Sequence, residues 1–305
     1  MNLNPIEVSI VIPIYNGEKT LQATLESLVN QTFQNFEVVA CIDGTFDGSE
    51  GIIKNFESKF NKLTLLKNPI NRGLGSTMNR LVNAAKGEFI AVAEQDDYYY
   101  LNRLQDQVDI LRTQPDVGMV SGIAEFDNGE GLTKFPGILV NGEQYPKGED
   151  MFLLNYKNQI KVVNSCMMFR KQVHINNGLY FSQHYPSVSI DWSYVLRFSL
   201  VSKIHGIHKV LVKIDRTANR NSVTSNKKKQ FEAANELIRS FAYEFPNIIK
   251  KEDYSYAKQT QKLLELSNHY GLAFYLKAFM MSILYWNDKR FANKFFYRLR
   301  KKIGN

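Results

Sequence analysis

The chain has 305 residues, which is room for one large domain or two modest ones at roughly 150 residues per domain. With 44% hydrophobic and 22% charged residues it has the make-up of a folded globular protein, and disorder is excluded as its main state. Two cysteines, Cys41 and Cys166, are too few for a disulfide scaffold and fit a reducing compartment.

The opening stretch MNLNPIEVSIVIP lacks the basic and apolar regions of a signal peptide. A bilayer span needs about 20 apolar residues. The best candidate, 272–286, is shorter and contains Lys277, so no membrane crossing is expected. The net charge of +8 is uneven: residues 1–226 hold 22 Lys and Arg against 23 Asp and Glu, while 227–305 hold 16 against 7. The excess in the last quarter points to an anionic partner surface, membrane or nucleic acid, for that part alone.

From the N-terminus, strand and helix signals alternate. Val8–Ile12 is a buried-type strand run stopped by Pro13, and Leu21, Leu25, Leu28 and Val29 form a helical stripe. A second strand is expected at Phe36–Ile42, then a helix face at Ile52, Ile53, Phe56 and Phe60. A third strand at Leu63–Leu66 precedes a helix over about 76–85, and a fourth lies at 88–93. Leu101, Leu104, Val108 and Leu111 mark the next helix, and Val117–Ser121 a fifth strand. Four strand–helix units predict a mostly parallel sheet with helices on both faces. Ligands of such sheets sit beyond the carboxyl ends of the strands, so the informative loops follow Ile12, Ile42, Leu66 and Ala93. Residues 123–226 are less regular, with a strand expected near 162–169, a helix over about 191–202 and a strand near 210–214. Lys227 then opens a helical, Lys- and aromatic-rich region.

The loop after the fourth strand reads Glu94-Gln95-Asp96-Asp97. Three carboxylates at a sheet edge repel one another and call for a cation, and hard oxygen ligands select Mg²⁺ or Mn²⁺. The alternative is a solvated acidic turn before a helix, where acids suit the dipole. Asp43-Gly44-Thr45-Phe46-Asp47-Gly48-Ser49 follows the second strand. It is either a turn with an N-cap at Ser49 or a place where Asp43 accepts hydrogen bonds from a nucleobase or ribose. Asn71-Arg72-Gly73-Leu74-Gly75-Ser76 lacks the third glycine of a dinucleotide fingerprint, because Met78 stands there, and it lacks a Walker lysine. It reads best as a helix entry.

Together these segments resemble the family 2 glycosyltransferases of GT-A fold, over roughly residues 6–226. Pro13-Ile14-Tyr15-Asn16 resembles the family's P-x-Y-N, and Ile42–Ser49 its D-D-G-S-x-D-G-T, with Ile42 in place of the first acid. Asn71-Arg72-Gly73, Asn79, Ala85 and Gly87-Glu88 resemble N-x-G…N…A-x-G-E, with Met78 where Arg is frequent. Glu94-Gln95-Asp96-Asp97 resembles the D-x-D-D metal motif with Glu first. Ile190-Asp191-Trp192 resembles E-D-[YW], Arg197 falls where the family carries Arg, and Asn219-Arg220-Asn221-Ser222 resembles H-x-x-S with Asn for His.

The resemblance implies an α/β, GT-A-type sheet over residues 1–226, with a nucleotide-sugar part of about 1–122 and an acceptor part of about 123–226. Residues 227–305 then form a basic, aromatic helical extension. It implies a metal-dependent, inverting transfer of a hexose-type sugar from a nucleotide diphosphate sugar, UDP by default, to a hydroxyl of a glycan or lipid-linked acceptor, as in bacterial surface polysaccharide synthesis. Nucleotide-sugar contacts would come from Pro13, Tyr15, Asn16, Asp43, Asn71, Arg72, Gly73, Asn79, Glu94, Gln95 and Asp96. Glu94 and Asp96 would hold Mn²⁺ or Mg²⁺, and Asp191 would be the general base, its plainer reading being a helix N-cap. Asp97, Trp192, Arg197, Asn219 and Arg220 are candidate diphosphate or acceptor contacts. His174, His184, His205, His208 and His269 lack metal-ligand spacing and read as satisfied or surface histidines.

Two rivals stand beside this reading. A nucleotidyltransferase also needs paired carboxylates, but a Gly-rich, Arg/Lys-bearing loop would be normal after its first strand; here Pro13-Ile14-Tyr15-Asn16-Gly17-Glu18 stands there. A nucleic-acid-binding protein would use the basic tail and leave the acids unexplained. In the tail, Leu272, Leu276, Phe279, Met280, Ile283 and Leu284 make one apolar helix face that ordinarily packs on a core. Residues 289–302 hold seven Lys and Arg among fourteen and no acid, interleaved with aromatics, which suits an anionic bilayer surface. The expectation is a cytoplasmic protein, peripheral on the cytoplasmic face of a membrane, with no nucleic-acid partner.

Overall fold

In the computed structural model, the described residues are 5–135, 143–160, 162–184, 189–217 and 226–303. They fall into two compact units, one of residues 1–155 with 160–226, the other of 156–159 with 227–305.

Among the described residues, the first unit is built on a nine-stranded sheet. Its elements, in order, are β1 (Val8–Ile14), α1 (Leu21–Val29), β2 (Phe36–Asp43), α2 (Ser49–Lys54), β3 (Leu63–Asn68), α3 (Leu74–Ala84), β4 (Phe89–Val92), β5 (Asp97–Tyr99) and α4 (Arg103–Thr113). Then come β6 (Val117–Asp127), β7 (Leu132–Lys134), α5 (Gly148–Asn158), β8 (Met168–Arg170), α6 (Lys171–Asn176), α7 (Ile190–Val201) and β9 (Lys203–Asp215). The strand order is β3-β2-β1-β4-β8-β6-β9-β5, with β7 paired to β6. The portion β3-β2-β1-β4 is parallel, as alternation of strand and helix leads one to expect. Beyond β4 the directions mix: β8 is antiparallel to both β4 and β6, while β9 runs parallel to β6 and antiparallel to β5.

Period-two alternation sorts the strand residues between two cores. Val8, Ile10, Ile12 and Ile14 of β1 face Leu21, Leu25 and Leu28 of α1 and Leu104, Val108 and Leu111 of α4. Val11 of β1 and Val39 and Cys41 of β2 face the other way, toward Met78, Leu81 and Val82 of α3 and Val195 and Phe198 of α7. Both neighbours of the sheet's centre are therefore covered, which is why its strands read as continuous apolar runs.

Pro13 does not stop the first strand. It pairs in register with Cys41 of β2, and β1 continues to Ile14. The ladder with β4 ends earlier, at Val11 and Val92, so the missing N–H of Pro13 lies where that side of the strand has no ladder to join. The strand expected over 162–169 is shorter than its apolar run: Asn164–Cys166 form a 3-10 turn, and only Met168–Arg170 pair.

The second unit holds α8 (Lys227–Glu244), α9 (Lys251–Leu266), α10 (Gly271–Leu284) and α11 (Lys289–Ile303). Leu266, Phe274, Ala278 and Phe291 are buried together. The stripe from Leu272 to Leu284, for which the sequence leaves packing on a core and a membrane surface both open, lies exposed on α10.

Candidate active site

The loops that follow β1, β2, β3 and β4 are joined to one another by short polar side chains. Asp43, the last residue of β2, is buried. Its Oδ1 accepts from the Arg72 backbone N–H at 2.8 Å and from Asn68 Nδ2 at 2.7 Å, and its Oδ2 accepts from the Gly73 N–H at 3.1 Å. Its oxygens thus hold the Asn71-Arg72-Gly73 loop, a demand that neither sequence reading of Asp43 included. Gly44 makes this approach possible: it has φ of 67°, and a Cβ there would sit 2.1 Å from the Asn71 nitrogen.

The loops after β1 and β2 are fastened in the same way. Thr45 Oγ1 donates to Asn16 Oδ1 at 2.6 Å, the Gly17 N–H donates to Ser49 Oγ at 2.9 Å, and the Glu18 N–H donates to Asp47 Oδ2 at 3.0 Å. Between the β1 and β4 loops, Gln95 Oε1 accepts from the Tyr15 N–H at 2.9 Å and Gln95 Nε2 donates to the Tyr15 carbonyl at 2.8 Å. Gly17 leaves room for that amide, since a Cβ there would lie 2.6 Å from Gln95 Oε1. Tyr15, Asn16, Asn71 and Arg72 stand exposed on the rim that these bonds define, while Pro13 is buried within β1.

The carboxylates meet beyond the end of β4. Glu94 accepts a hydrogen bond from Asn164 Nδ2, and its backbone N–H donates to the Tyr99 hydroxyl at 2.7 Å. Burial, then the charges of Asp96 and Asp97, and finally that of Asp191, push the Glu94 carboxyl up to about 8 against the Asn164 bond. Asp191, in the first turn of α7, is therefore within electrostatic reach of the β4 loop although 97 positions separate it from Glu94 in the chain. Asp97 is buried and accepts from Ser165 Oγ. Behind the loop, Arg103 is fully buried, lies 4.4 Å from the Tyr99 ring centroid and donates from Nη2 to the Val92 carbonyl at 2.6 Å. It sets a fixed cation beneath a cluster of acids.

Among the described residues no group of three or more His, Cys, Asp or Glu is arranged to hold a metal ion. Mg²⁺ and Mn²⁺ sites that also bind phosphate need only one or two protein carboxylates, the remaining oxygens coming from substrate and water. The mutual repulsion of the acids around Glu94 is the chemistry such a cation relieves, so Glu94 and Asp96 fit the group.

The family model for glycosyl transferase family 2 matches residues 9–177, more than half of the chain. This chain belongs to glycosyl transferase family 2. The putative glycosyltransferase EpsE of Bacillus subtilis is 29% identical over 190 residues, covering 59% of this chain and 68% of that protein. Among solved structures, S. aureus TarS 1-349 in complex with UDP-GlcNAc superposes with a TM-score of 0.62 at 21% identity, covering 77% of this chain and 66% of that one. The mannosyltransferase PcManGT from Pyrobaculum calidifontis, in complex with GDP-Man and Mn²⁺, gives 0.59 at 15% identity over 96% of this chain and 84% of that one. At these identities the likeness is one of fold, and the fold is GT-A with added C-terminal helices. The chain spans just under two thirds of the TarS fragment.

Other residues singled out in this transferase turn inward. Asn79 clamps the backbone of Phe181, Nδ2 donating to its carbonyl and Oδ1 accepting from its N–H, each at 2.8 Å. Trp192 is buried, and its Nε1 donates to Asn155 Oδ1 at 3.0 Å, so it packs the unit. The Arg197 guanidinium lies 5.5 Å from the Tyr180 ring centroid. Ile42 and Met78, standing where the family pattern has polar residues, are core residues at 4% and 1% exposure. Asn219 and Arg220 lie outside the described residues. Asn164, Ser165 and Arg103 were not marked by any motif: the first two sit in a short turn within an apolar run, and Arg103 reads as a surface helix residue.

Proposed function

We propose that this transferase moves a sugar from a nucleotide diphosphate sugar, UDP-linked, to a hydroxyl of a glycan or lipid-linked glycan, with inversion at the anomeric carbon. The observation that carries the reading is that the charge of Asp191, from a separate part of the chain, adds to that of Asp96 and Asp97 at Glu94. Inversion needs groups on two sides of one carbon. The acceptor oxygen forms its bond to the anomeric carbon as the bond from that carbon to the diphosphate oxygen breaks. The hydroxyl proton passes to the Asp191 carboxylate, whose Oδ1 is oriented by the Trp192 N–H at 2.8 Å.

On the donor side, Tyr15, Asn16 and Arg72 line the nucleotide's seat, and Asp43, Gln95 and Asn79 act by holding the backbone that forms it. Glu94 and Asp96 would hold Mg²⁺ or Mn²⁺, which when bound supplies positive charge for the departing diphosphate. UDP-GlcNAc in the TarS complex, and GDP-Man with Mn²⁺ in PcManGT, support a nucleotide-sugar donor and a divalent ion. We place the domain boundary near residue 226 and the reaction at the cytoplasmic face of a membrane.

The test is release of nucleoside diphosphate from a panel of UDP-, GDP- and dTDP-sugars, with Mn²⁺, with Mg²⁺ and with chelator. UDP-sugar turnover that chelator abolishes, and that Asp96→Asn removes, is the expected result. Turnover of no nucleotide sugar would overturn the transferase reading, and full activity in chelator would overturn the metal assignment alone.

A further inference from the structure

Helix α10 wears its apolar stripe outward. Phe274 and Ala278 are buried with Leu266 and Phe291, yet Leu272, Leu276, Phe279, Met280, Ile283 and Leu284 are 54–74% exposed. A helix in water ordinarily turns such a stripe toward a core. The patch continues onto α11: the Phe279 ring lies 6.2 Å from that of Phe295, and Phe295 lies 5.3 Å from Phe296, which is exposed along with Tyr297. A contiguous exposed apolar patch of this kind is a mark of an interaction surface.

The charge beside it selects the occupant. Helix α11 carries no acid between Lys289 and Lys302, and Lys289, Arg300, Lys301 and Lys302 are exposed. A second copy of this chain would bring two such basic surfaces together, each in a segment with 16 Lys and Arg against 7 Asp and Glu. Nucleic acid would engage the cations and leave six large apolar side chains in water. An anionic bilayer uses both: headgroup phosphates meet the cations while the stripe enters the boundary of the acyl region. Fourteen residues make a helix about 21 Å long. Among the described residues no helix is long and apolar enough to cross a membrane, so α10 lies along the surface rather than through it.

We infer that the exposed face of α10, flanked by the basic residues of α11, is a membrane-docking surface for anionic lipid. As the place where a lipid-linked acceptor is met, the inference rests on the function proposed above; as a binding surface it stands without it.

The experiment is co-sedimentation of the full-length protein with vesicles of phosphatidylcholine alone, or mixed equally with phosphatidylglycerol. Wild type is expected to bind the mixed vesicles and to partition far less to phosphatidylcholine. Phe279→Glu with Ile283→Glu removes two large apolar anchors and should weaken partition at least about tenfold. Arg300→Glu with Lys301→Glu should weaken it about tenfold or more, and most strongly at low salt. All four sites are exposed, and thermal melting confirms that the variants fold. No binding by wild type at low salt, or equal binding by the Phe279→Glu/Ile283→Glu variant, overturns the inference. So does a dimer that this variant abolishes, or tighter binding to RNA than to the mixed vesicles. Nucleoside diphosphate release without vesicles is measured alongside, so loss of docking and failure of the transferase reading are told apart.

Discussion

Gln95 and Tyr15 are joined like two residues of a β-ladder, the side-chain amide of one standing in for a strand backbone. Its oxygen accepts from the Tyr15 N–H at 2.9 Å and its nitrogen donates to the Tyr15 carbonyl at 2.8 Å. The motif position between Glu94 and Asp96 is thereby a clamp between the acid loop and the rim of the proposed nucleotide seat.

Replacing Gln95 by Ala removes both bonds and should cost about 1–2 kcal/mol, since each is worth about 1 kcal/mol net. Gln95→Glu keeps the acceptor but sets a carboxylate against the Tyr15 carbonyl, and should be no better. In both variants the donor KM should rise more than kcat falls. Wild-type donor KM in Gln95→Ala would show that the clamp does not shape the nucleotide seat.

Asp43→Asn is nearly isosteric, yet it turns a donor toward the Arg72 or Gly73 N–H and gives up charge-assisted bonds. A loss of about 2–3 kcal/mol is expected from urea unfolding midpoints, with weaker nucleotide binding as the loop loosens. Unchanged stability would mean that the 71–73 loop is held by other contacts.

For Asp191→Asn the expected loss is in turnover, about 10²–10⁴-fold, with donor affinity close to wild type. Isothermal titration with the nucleoside diphosphate separates the two quantities. A matching loss of donor binding would point to a structural role at the start of α7.

His174 gives a pH dependence of known sign. It is buried, its Nδ1 lies 2.9 Å from the Tyr194 hydroxyl, and burial, then the charge of Lys171, push it down from 6.5 to about 4. Between those values the unfolded chain binds a proton that the folded chain refuses. Stability is therefore whole above pH 6.5 and falls as pH drops toward 4, by at most about 1.4 kcal/mol per unit. His174→Phe should flatten that part of the curve of unfolding free energy against pH. Equal slopes for variant and wild type would assign the acid loss to other groups.

The parallel strands and their helices were legible because apolar period two and period 3.6 are local signals. The antiparallel insertion of β8 between β4 and β6 was not, since pairing of Phe89 with Arg170 leaves no trace at either position alone. Three-residue β5 starts on the last residue of the acid motif, where Asp97 pairs in the sheet and accepts from Ser165 while Tyr99 accepts from the Glu94 N–H. At the site, residue types announced the acids, but their supports were silent. Asn164 beside Glu94 and Arg103 beneath Tyr99 act through distance in space, and a lone Asn or Arg carries no periodicity.

The clamp of Asn79 on Phe181 spans 102 positions, and the bond of Asn164 to Glu94 spans 70. Residues past the fifth expected strand are thus stitched to those before it beside the acids of the proposed active site. Grafting residues 123–226, the proposed acceptor part, from a relative would sever both stitches unless the donor segment supplied partners of matching reach. New acceptor preference should therefore be sought by substitution within the existing segment, with Asn164 and the Phe181 backbone left in place, rather than by exchange of the segment as a cassette.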